Sequence, residues 1–203
     1  MNSQAQKGSS DRGSVRVLVA EDEAVIRMDL VEMLKELGHV VVGEAANGQQ
    51  AVDLARELSP DLVFLDIAMP VRDGLSAAEE ISAHDLAAVV MVTAFSQHDV
   101  ATKAAEAGAV GYVVKPFTMA DLEPAIAVGL ARWSQVQALK GEVANLGERA
   151  RAREAVEQAK VLLQRDHGMS EPEAFSWLRR SAMDGRVTLA EVAAGVISGQ
   201  IRP

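Results

Sequence analysis

The sequence predicts an α/β protein: a doubly wound parallel sheet of five strands, then a helical linker, then a small all-α bundle of three helices. Three observations carry this reading. Short runs rich in Val, Leu and Ile alternate five times with stretches of helical periodicity between residues 14 and 132, as parallel strands joined by crossover helices do. No further strand pattern follows residue 121. Two helical runs, Pro172–Met183 and Leu189–Ser198, are separated by "DGRVT" near the end of the chain, and with the helix before them they make a bundle.

Taken in order, residues 1–13 ("MNSQAQKGSSDRG") are polar and rich in Gly and Ser, and are expected to form a disordered leader. Val15–Ala20 is the first strand, and Ala24–Leu37 an amphipathic helix ended by Gly38. "HVVVGEA" is the second strand, and Gly48–Leu58 the second helix before Pro60. Leu62–Asp66 and Leu75–His84 are the third pair, and "AVVMVTA" with "QHDVATKAAEAGA" the fourth. "GYVVK" is the fifth strand, and a long helix begins after Pro116 with Thr118 as its cap. Within that helix Val136, Leu139, Val143, Leu146 and Ala150 recur at spacings of three and four, which suits a coiled-coil seam, and Gly141, Asn145 and Gly147 weaken it.

Composition narrows the functions. Among 203 residues 49% are hydrophobic, so a sizeable core can be buried, and none is cysteine, which excludes disulfides, thiolate metal sites and thiol nucleophiles together. No apolar run reaches the length of a membrane span and no signal-peptide pattern opens the chain, so no membrane partner is expected and the cytoplasm is the expected compartment. The net charge of −9 is uneven. Residues 1–140 hold 11 Lys and Arg against 20 Asp and Glu, whereas residues 141–203 hold 9 against 9. Only the second part can present a local basic patch to nucleic acid.

In an open α/β sheet, ligands bind outside the carboxyl ends of the strands. Strand one there ends in Glu21-Asp22-Glu23, strand three in Asp66, strand four in Thr93-Ala94 and strand five in Lys115-Pro116. Carboxylates brought together repel one another unless a cation sits among them, and Mg²⁺, a hard ion with oxygen ligands, removes that cost. A carboxylate beside Mg²⁺ and an ammonium can attack a phosphoryl group, because the cations neutralise the charge on the transferred oxygens. Asp66, presented by the rigid apolar strand "LVFL", is the expected acceptor, with Lys115, Thr93 and the following amide as its partners. Each residue alone is explained by capping or chance; their conjunction is not.

The segments "VLVAEDE", "LVFLDIAMPVRDG", "VVMVTAF" and "GYVVKPF" resemble the response-regulator receiver domain over residues 14–132. The resemblance implies a flavodoxin-like fold, phosphotransfer from a sensor histidine kinase to Asp66, and Mg²⁺ held by Glu21, Asp22 and Asp66. It also implies Thr93 and Tyr112 as the residues that couple phosphorylation to the surface of the fourth and fifth helices. An aspartate-based phosphatase would need a second Asp two residues later as general acid, where this chain has Ala68. That departure points to a phosphoacceptor switch and not to an enzyme with turnover. Ala68 and Phe95 flank the expected path of an attacking water and cannot hydrogen-bond it, so slow dephosphorylation is expected.

Arg149, Arg153 and Lys160 stack along one helical face, and Arg179, Arg180 and Arg186 add a second basic edge. The plain reading is a solvated face laced with pairs such as Arg153–Glu157; the sharper one is contact with RNA phosphates. Ala159, Ala174, Ala193 and Ala194 are expected where helices approach closely, with Phe175 and Leu178 filling the space between them. The run "AKVLLQRDHGMSEPEAFSWLRRSAMD" followed by "LAEVA" is similar to the ANTAR domain, an RNA-binding antitermination module, in residues 140–203. Ala159, Lys160, Ala174, Phe175 and Ala193 match its signature, and Arg153 an upstream basic position; Val161 and Ala152 depart from it. This resemblance implies RNA hairpins in nascent transcripts as the partner. The linker, 133–152, could pair two chains as a homodimer. A DNA-binding regulator is the rival, but "PEAFSWLRRSAM" offers Arg179-Arg180 and no Asn or Gln to read bases. A switch that docks a protein through its bundle is the third reading.

Overall fold

A computed structural model describes residues 13–94 and 98–203; the leader expected for residues 1–12 and the water-path residue Phe95 lie outside them. Strands β1 (Arg16–Ala20), β2 (Val40–Ala45), β3 (Leu62–Asp66), β4 (Ala88–Thr93) and β5 (Gly111–Val114) alternate with α1 (Ala24–Glu36), α2 (Gly48–Leu58), α3 (Gly74–Ala83) and α4 (His98–Glu106). Helices α5 (Met119–His167), α6 (Glu171–Gly185) and α7 (Leu189–Ile197) follow. By compactness the chain divides after Val136 into two units.

In the first unit all strand pairs are parallel and the order is β2-β1-β3-β4-β5. The direction of winding therefore reverses between β1 and β3, the place where such sheets hold ligands. Alternation along each strand feeds two cores. Leu18, Ala20, Val63, Leu65, Val89 and Met91 pack with α2, α3 and α4, while Val17, Val19, Leu62, Phe64, Val90 and Val92 pack with α1 and α5. The edges differ from the centre: β2 carries an irregularity where Val17 pairs with Val41 but Leu18 with Gly43, and β5 has only four residues.

Local chemistry fixes the element ends. Asn47 and Asp73 accept the amides of Gln50 and Ser76, each at 2.9 Å, and so start α2 and α3. Gly38, at φ 86°, ends α1 while the His39 amide reaches back to the Leu34 carbonyl at 3.0 Å. Before α5, the Asp121 carboxylate accepts both the amide and the hydroxyl of Thr118.

Helix α5 runs unbroken through Gly141 and Gly147, where an added Cβ would meet nothing within 4 Å. Every residue from 138 to 151 is exposed. Among the described residues, no helix is long and apolar enough to cross a membrane.

The second unit has its own core of Ala159, Leu163, Ala174, Leu178, Ala182, Val192 and Ala193. Small side chains at 159, 174 and 193 leave room for the helices to touch. Two expectations are corrected. Phe175 is 42% exposed and does not fill the core; its neighbour Ala174 takes the inward position, and Trp177 packs against the cluster. Ala194 is exposed, and the close approach falls on Gly195, where a Cβ would stand 2.5 Å from Ile201.

Both later helices open on capping boxes, Ser170 with Glu173 and Thr188 with Glu191. Glu171 lies below its ordinary value of 4.5 because Lys160 donates to it, Glu173 because Ser170 does, and Glu191 because the amide and hydroxyl of Thr188 do. A depressed carboxylate contributes stability above the unfolded value, and that stability is lost as pH falls through the lower folded values. The bundle is therefore expected to keep a constant melting point at neutral pH and to lose it steadily below about 4.5. Trp177 fluorescence in a Trp133→Phe background would follow this.

Candidate functional site

The site assembles at the carboxyl ends of β1, β3 and β5. Strand β3 is buried along its whole length and delivers Asp66 at its tip. The Glu21 amide donates to the Ala45 carbonyl at 3.0 Å, and Arg27 donates to the Glu21 carbonyl at 2.6 Å, so the turn after β1 is fastened from two sides. The Lys115 amide donates to the Thr93 carbonyl at 2.7 Å, which ties the end of β5 to the end of β4.

Glu21, Asp22 and Asp66 each bring one carboxylate oxygen within 4.8 Å of the others. Glu21 and Asp66 are buried, and Asp22 is exposed. Lys115 Nζ stands 2.6 Å from Glu21 Oε2 and 3.0 Å from Asp66 Oδ1. The Ala68 amide donates to Asp66 Oδ2 at 3.1 Å. Glu21 Oε2 is buried with the ammonium as its charge partner but makes no well-formed hydrogen bond.

The electrostatics are asymmetric. Burial raises the Glu21 carboxyl above its ordinary value, and the like charge of Asp66 adds to this, beyond what Lys115 offsets. For Lys115 burial works against the charge, yet its pairing with the carboxylates of Glu21 and Asp66 outweighs it and raises the ammonium. One cation thus serves two buried carboxylates, and the cluster remains short of positive charge. A divalent oxygen-seeking ion fits that deficit and the under-bonded Oε2 of Glu21.

Sequence reading placed Glu21, Asp22, Asp66, Thr93 and Lys115 together, and the structure does bring these strand ends together. Thr93 is buried at the end of β4, in register with Val114. Tyr112 lies on β5 beside Met91 and is 53% exposed.

What sequence reading missed is the brace behind the loop. The Arg72 amide donates to the Pro70 carbonyl at 2.7 Å, which closes a γ-turn at Val71 with φ 66°. This positive-φ form is the strained one, and a β-branched residue suits it poorly. Arg72 holds it in place. Its guanidinium donates to Glu80 and, at 2.6 Å, to the Ser76 carbonyl, and Glu80 also binds Arg56 of α2. The Arg72 carbonyl accepts the Gly48 amide at 3.1 Å. No spacing rule signals such a link; the nearest hint is the "RDG" that precedes α3.

Arg72→Ala is expected to slow phosphoryl uptake from acetyl phosphate severalfold, because the turn would relax and carry the Ala68 amide off Asp66. Val71→Gly in the same background should recover most of the rate, since glycine takes φ 66° without the cost of about 1–3 kcal/mol borne by other residues.

In the second unit, Arg153, Arg179 and Arg180 are exposed. Lys160 differs from expectation. It is 8% exposed, and its Nζ lies 2.8 Å from Glu157 and 2.9 Å from Glu171, so it ties α5 to the first turn of α6. Glu157 is therefore paired with Lys160 and not with Arg153.

Comparison with known proteins agrees with both parts. A family model for the response regulator receiver domain matches residues 17–127, and one for the ANTAR domain matches residues 144–197. The transcriptional regulatory protein PdtaR of Mycobacterium tuberculosis is 54% identical over 182 residues, 90% of this chain and 89% of that one. Chemotaxis protein CheY of Bacillus subtilis is 44% identical over 103 residues, 50% of this chain and 86% of its own. Among solved structures, the receiver domain of the putative response regulator NarL from Mycobacterium tuberculosis superposes with a TM-score of 0.56 at 30% identity, covering 58% of this chain and 97% of that one. CheY in the CheX-CheY-BeF3-Mg complex from Borrelia burgdorferi superposes at 0.53 with 27% identity, covering 55% and 86%. With its doubly wound receiver followed by a helical ANTAR region, this chain belongs to the response regulators that join those two domains.

Proposed function

We propose that a sensor histidine kinase phosphorylates Asp66, and that the phosphorylated chain binds RNA hairpins through its ANTAR region and promotes transcription antitermination. The observation that carries this is the Asp66 carboxylate, held at a strand tip with one oxygen 3.0 Å from an ammonium and the other 3.1 Å from an amide. Attack by a carboxylate oxygen on phosphohistidine forms the O–P bond as the P–N bond breaks, and the imidazole leaves with the electron pair. Lys115 and the Ala68 amide stand where they can neutralise the phosphoryl oxygens. Glu21, Asp22 and Asp66 would hold Mg²⁺, which supplies further positive charge to the transferring group. The Borrelia CheX-CheY complex contains BeF3 and Mg together, which supports this reading.

Thr93 would accept the new phosphate as a hydrogen-bond partner, and Tyr112 would then change its exposure, shifting the population of the receiver surface around it. Ala68 offers no side-chain group to align a water, so the acyl phosphate persists and the chain acts as a switch in the cytoplasm, not as a turnover enzyme. In the second unit Arg153, Arg179 and Arg180 carry the phosphate contacts, while Lys160 fixes the helices. The exposed seam of Val136, Leu139, Val143 and Leu146 is the surface for pairing with a second copy.

Filter binding across a salt series tests the whole reading. Acetyl phosphate-treated protein is expected to retain a two-hairpin RNA and not duplex DNA, with a steep loss of affinity as salt rises. Retention of neither nucleic acid would leave a protein-docking switch, and preference for duplex DNA would make it a DNA-binding regulator.

A further inference from the structure

Arg27, near the start of α1, makes contacts that the phosphoryl chemistry above does not use. One arm of its guanidinium donates to the Glu21 carbonyl at 2.6 Å, and its Nε donates to Glu44 Oε2 on β2 at 3.3 Å. The Arg27 side chain is largely covered, whereas that of Glu44 is half exposed. Glu44 pairs in register with Val19, and its neighbour Ala45 accepts the Glu21 amide at 3.0 Å. Glu21 is therefore held through both of its backbone groups, by β2 directly and by β2 through Arg27. The hold matters because α1 has no side-chain cap: its N-cap residue, Glu23, makes no capping hydrogen bond. The turn Glu21-Asp22-Glu23 delivers two of the three clustered carboxylates, and Arg27 is what fastens it from the helix side.

Which oxygen Arg27 binds has an electrostatic meaning. A guanidinium on the Glu21 carboxylate would compete with a divalent ion for it. On the carbonyl it fixes the residue and leaves the carboxylate to Lys115 and to the ion. Yet a positive charge on the backbone of a ligand residue also repels a cation, at a range too short for salt to screen fully. Glu44 answers that repulsion by bringing an equal negative charge to the guanidinium. We propose that Arg27 and Glu44 form an electrically neutral clamp that sets the affinity of the Glu21, Asp22 and Asp66 cluster for Mg²⁺. Arg27 positions the Glu21-Asp22 turn, and Glu44 cancels the charge of Arg27. The inference rests on the reading of this cluster as a Mg²⁺ site and adds what tunes it.

The test is the Mg²⁺ dissociation constant of the full-length chain, read from the rise in melting temperature across a Mg²⁺ series. The metal-free melting temperature is the separate record of structure. Charge and position predict opposite outcomes for Arg27→Ala. If charge alone mattered, deleting a cation beside the cluster would tighten Mg²⁺ binding. Loosening of the turn weakens it, and a loss of about tenfold is expected, as for other groups that orient metal ligands from behind. Arg27→Lys can take the carbonyl or Glu44 but lacks the fork to take both, and should fall between. Glu44→Gln keeps an acceptor for Arg27 but leaves the guanidinium uncancelled. It should weaken Mg²⁺ severalfold in dilute buffer and match wild type in about 1 M KCl, where the screening length is about 3 Å. The Arg27→Ala loss should persist at that salt.

Unchanged or tighter Mg²⁺ binding by Arg27→Ala would overturn the positioning role and leave the metal reading standing. A lower metal-free melting temperature with the same dissociation constant would make Arg27 a structural brace only, and the proposal would be wrong. An equal Glu44→Gln loss at both salt concentrations, or no loss at either, would overturn the charge-cancelling role. If wild type showed no Mg²⁺ dependence at all, the metal reading itself would fail, and this one with it.

Discussion

Asp66→Asn takes no label from radioactive acetyl phosphate in the expected result, whereas wild type with Mg²⁺ labels at that residue alone. The change keeps the shape of the side chain, so the buried β3 and the packing around it persist. It removes the nucleophilic oxygen, because an amide does not attack phosphorus at a useful rate. It also withdraws one of the three carboxylates gathered within 4.8 Å, so the cation should be held less well. Wild type at Mg²⁺ a hundredfold above its dissociation constant would gain about 2.7 kcal/mol of stability, and the variant should show little of that rise in melting temperature. Undiminished label on Asp66→Asn would move the acceptor elsewhere, with exposed Asp22 the first place to look.

The second large effect is expected from Gly74→Ala. A Cβ at this position would stand 1.9 Å from the Asp66 carbonyl oxygen, 2.8 Å from its carbon and 3.0 Å from Ile67 Cα. All three are backbone atoms of the segment that carries the acceptor, so no flexible side chain can yield. The Gly74 amide also donates to the Ile67 carbonyl at 2.9 Å, and moving α3 away would break that bond. Overpacking against backbone is expected to cost about 3 kcal/mol or more, or roughly 10 °C in the melting point of the receiver. Gly141→Ala is the control. It adds the same methyl to an exposed helix with nothing within 4 Å, and should stabilise by up to about 1 kcal/mol. Similar melting points for the two variants would show that the close approach at Gly74 is not what locks the loop.

These two glycines illustrate what the sequence could and could not reveal. The five strands and their helices were legible because each strand is bounded by turn residues, and because β1, β3 and β4 are buried on both faces, so that their apolar runs are nearly continuous. The candidate site was legible for a related reason. In a parallel sheet all carboxyl ends share one edge, so reading the residue after each strand lists the site without any knowledge of strand order.

The rest depended on contacts between residues far apart in sequence or on choices among equivalent faces. Nothing local distinguishes Phe175 from Leu178 as the inward residue; the helix has to be docked before one of them is left outside. Lys160 reads as part of a basic stripe until α6 folds back and places Glu171 beside it. Arg72 acts through Glu80, which itself is shared with Arg56 of another helix. The strain at Val71 is invisible because valine normally avoids positive φ, so its presence carries no warning. The helical linker shows the opposite error. Gly141 and Gly147 suggested weakness, but two glycines in a long run of good helix formers lower its stability without ending it.

The sheet margins have a consequence for how this chain keeps to itself. Unpaired strand borders invite lateral addition of foreign β-segments, which is a route to aggregates. Here one border is offset by the extra residue between Val41 and Gly43, and the other stops after four residues. Neither offers the long, flat template that fibril growth requires, so both borders resist lateral addition of another β-segment.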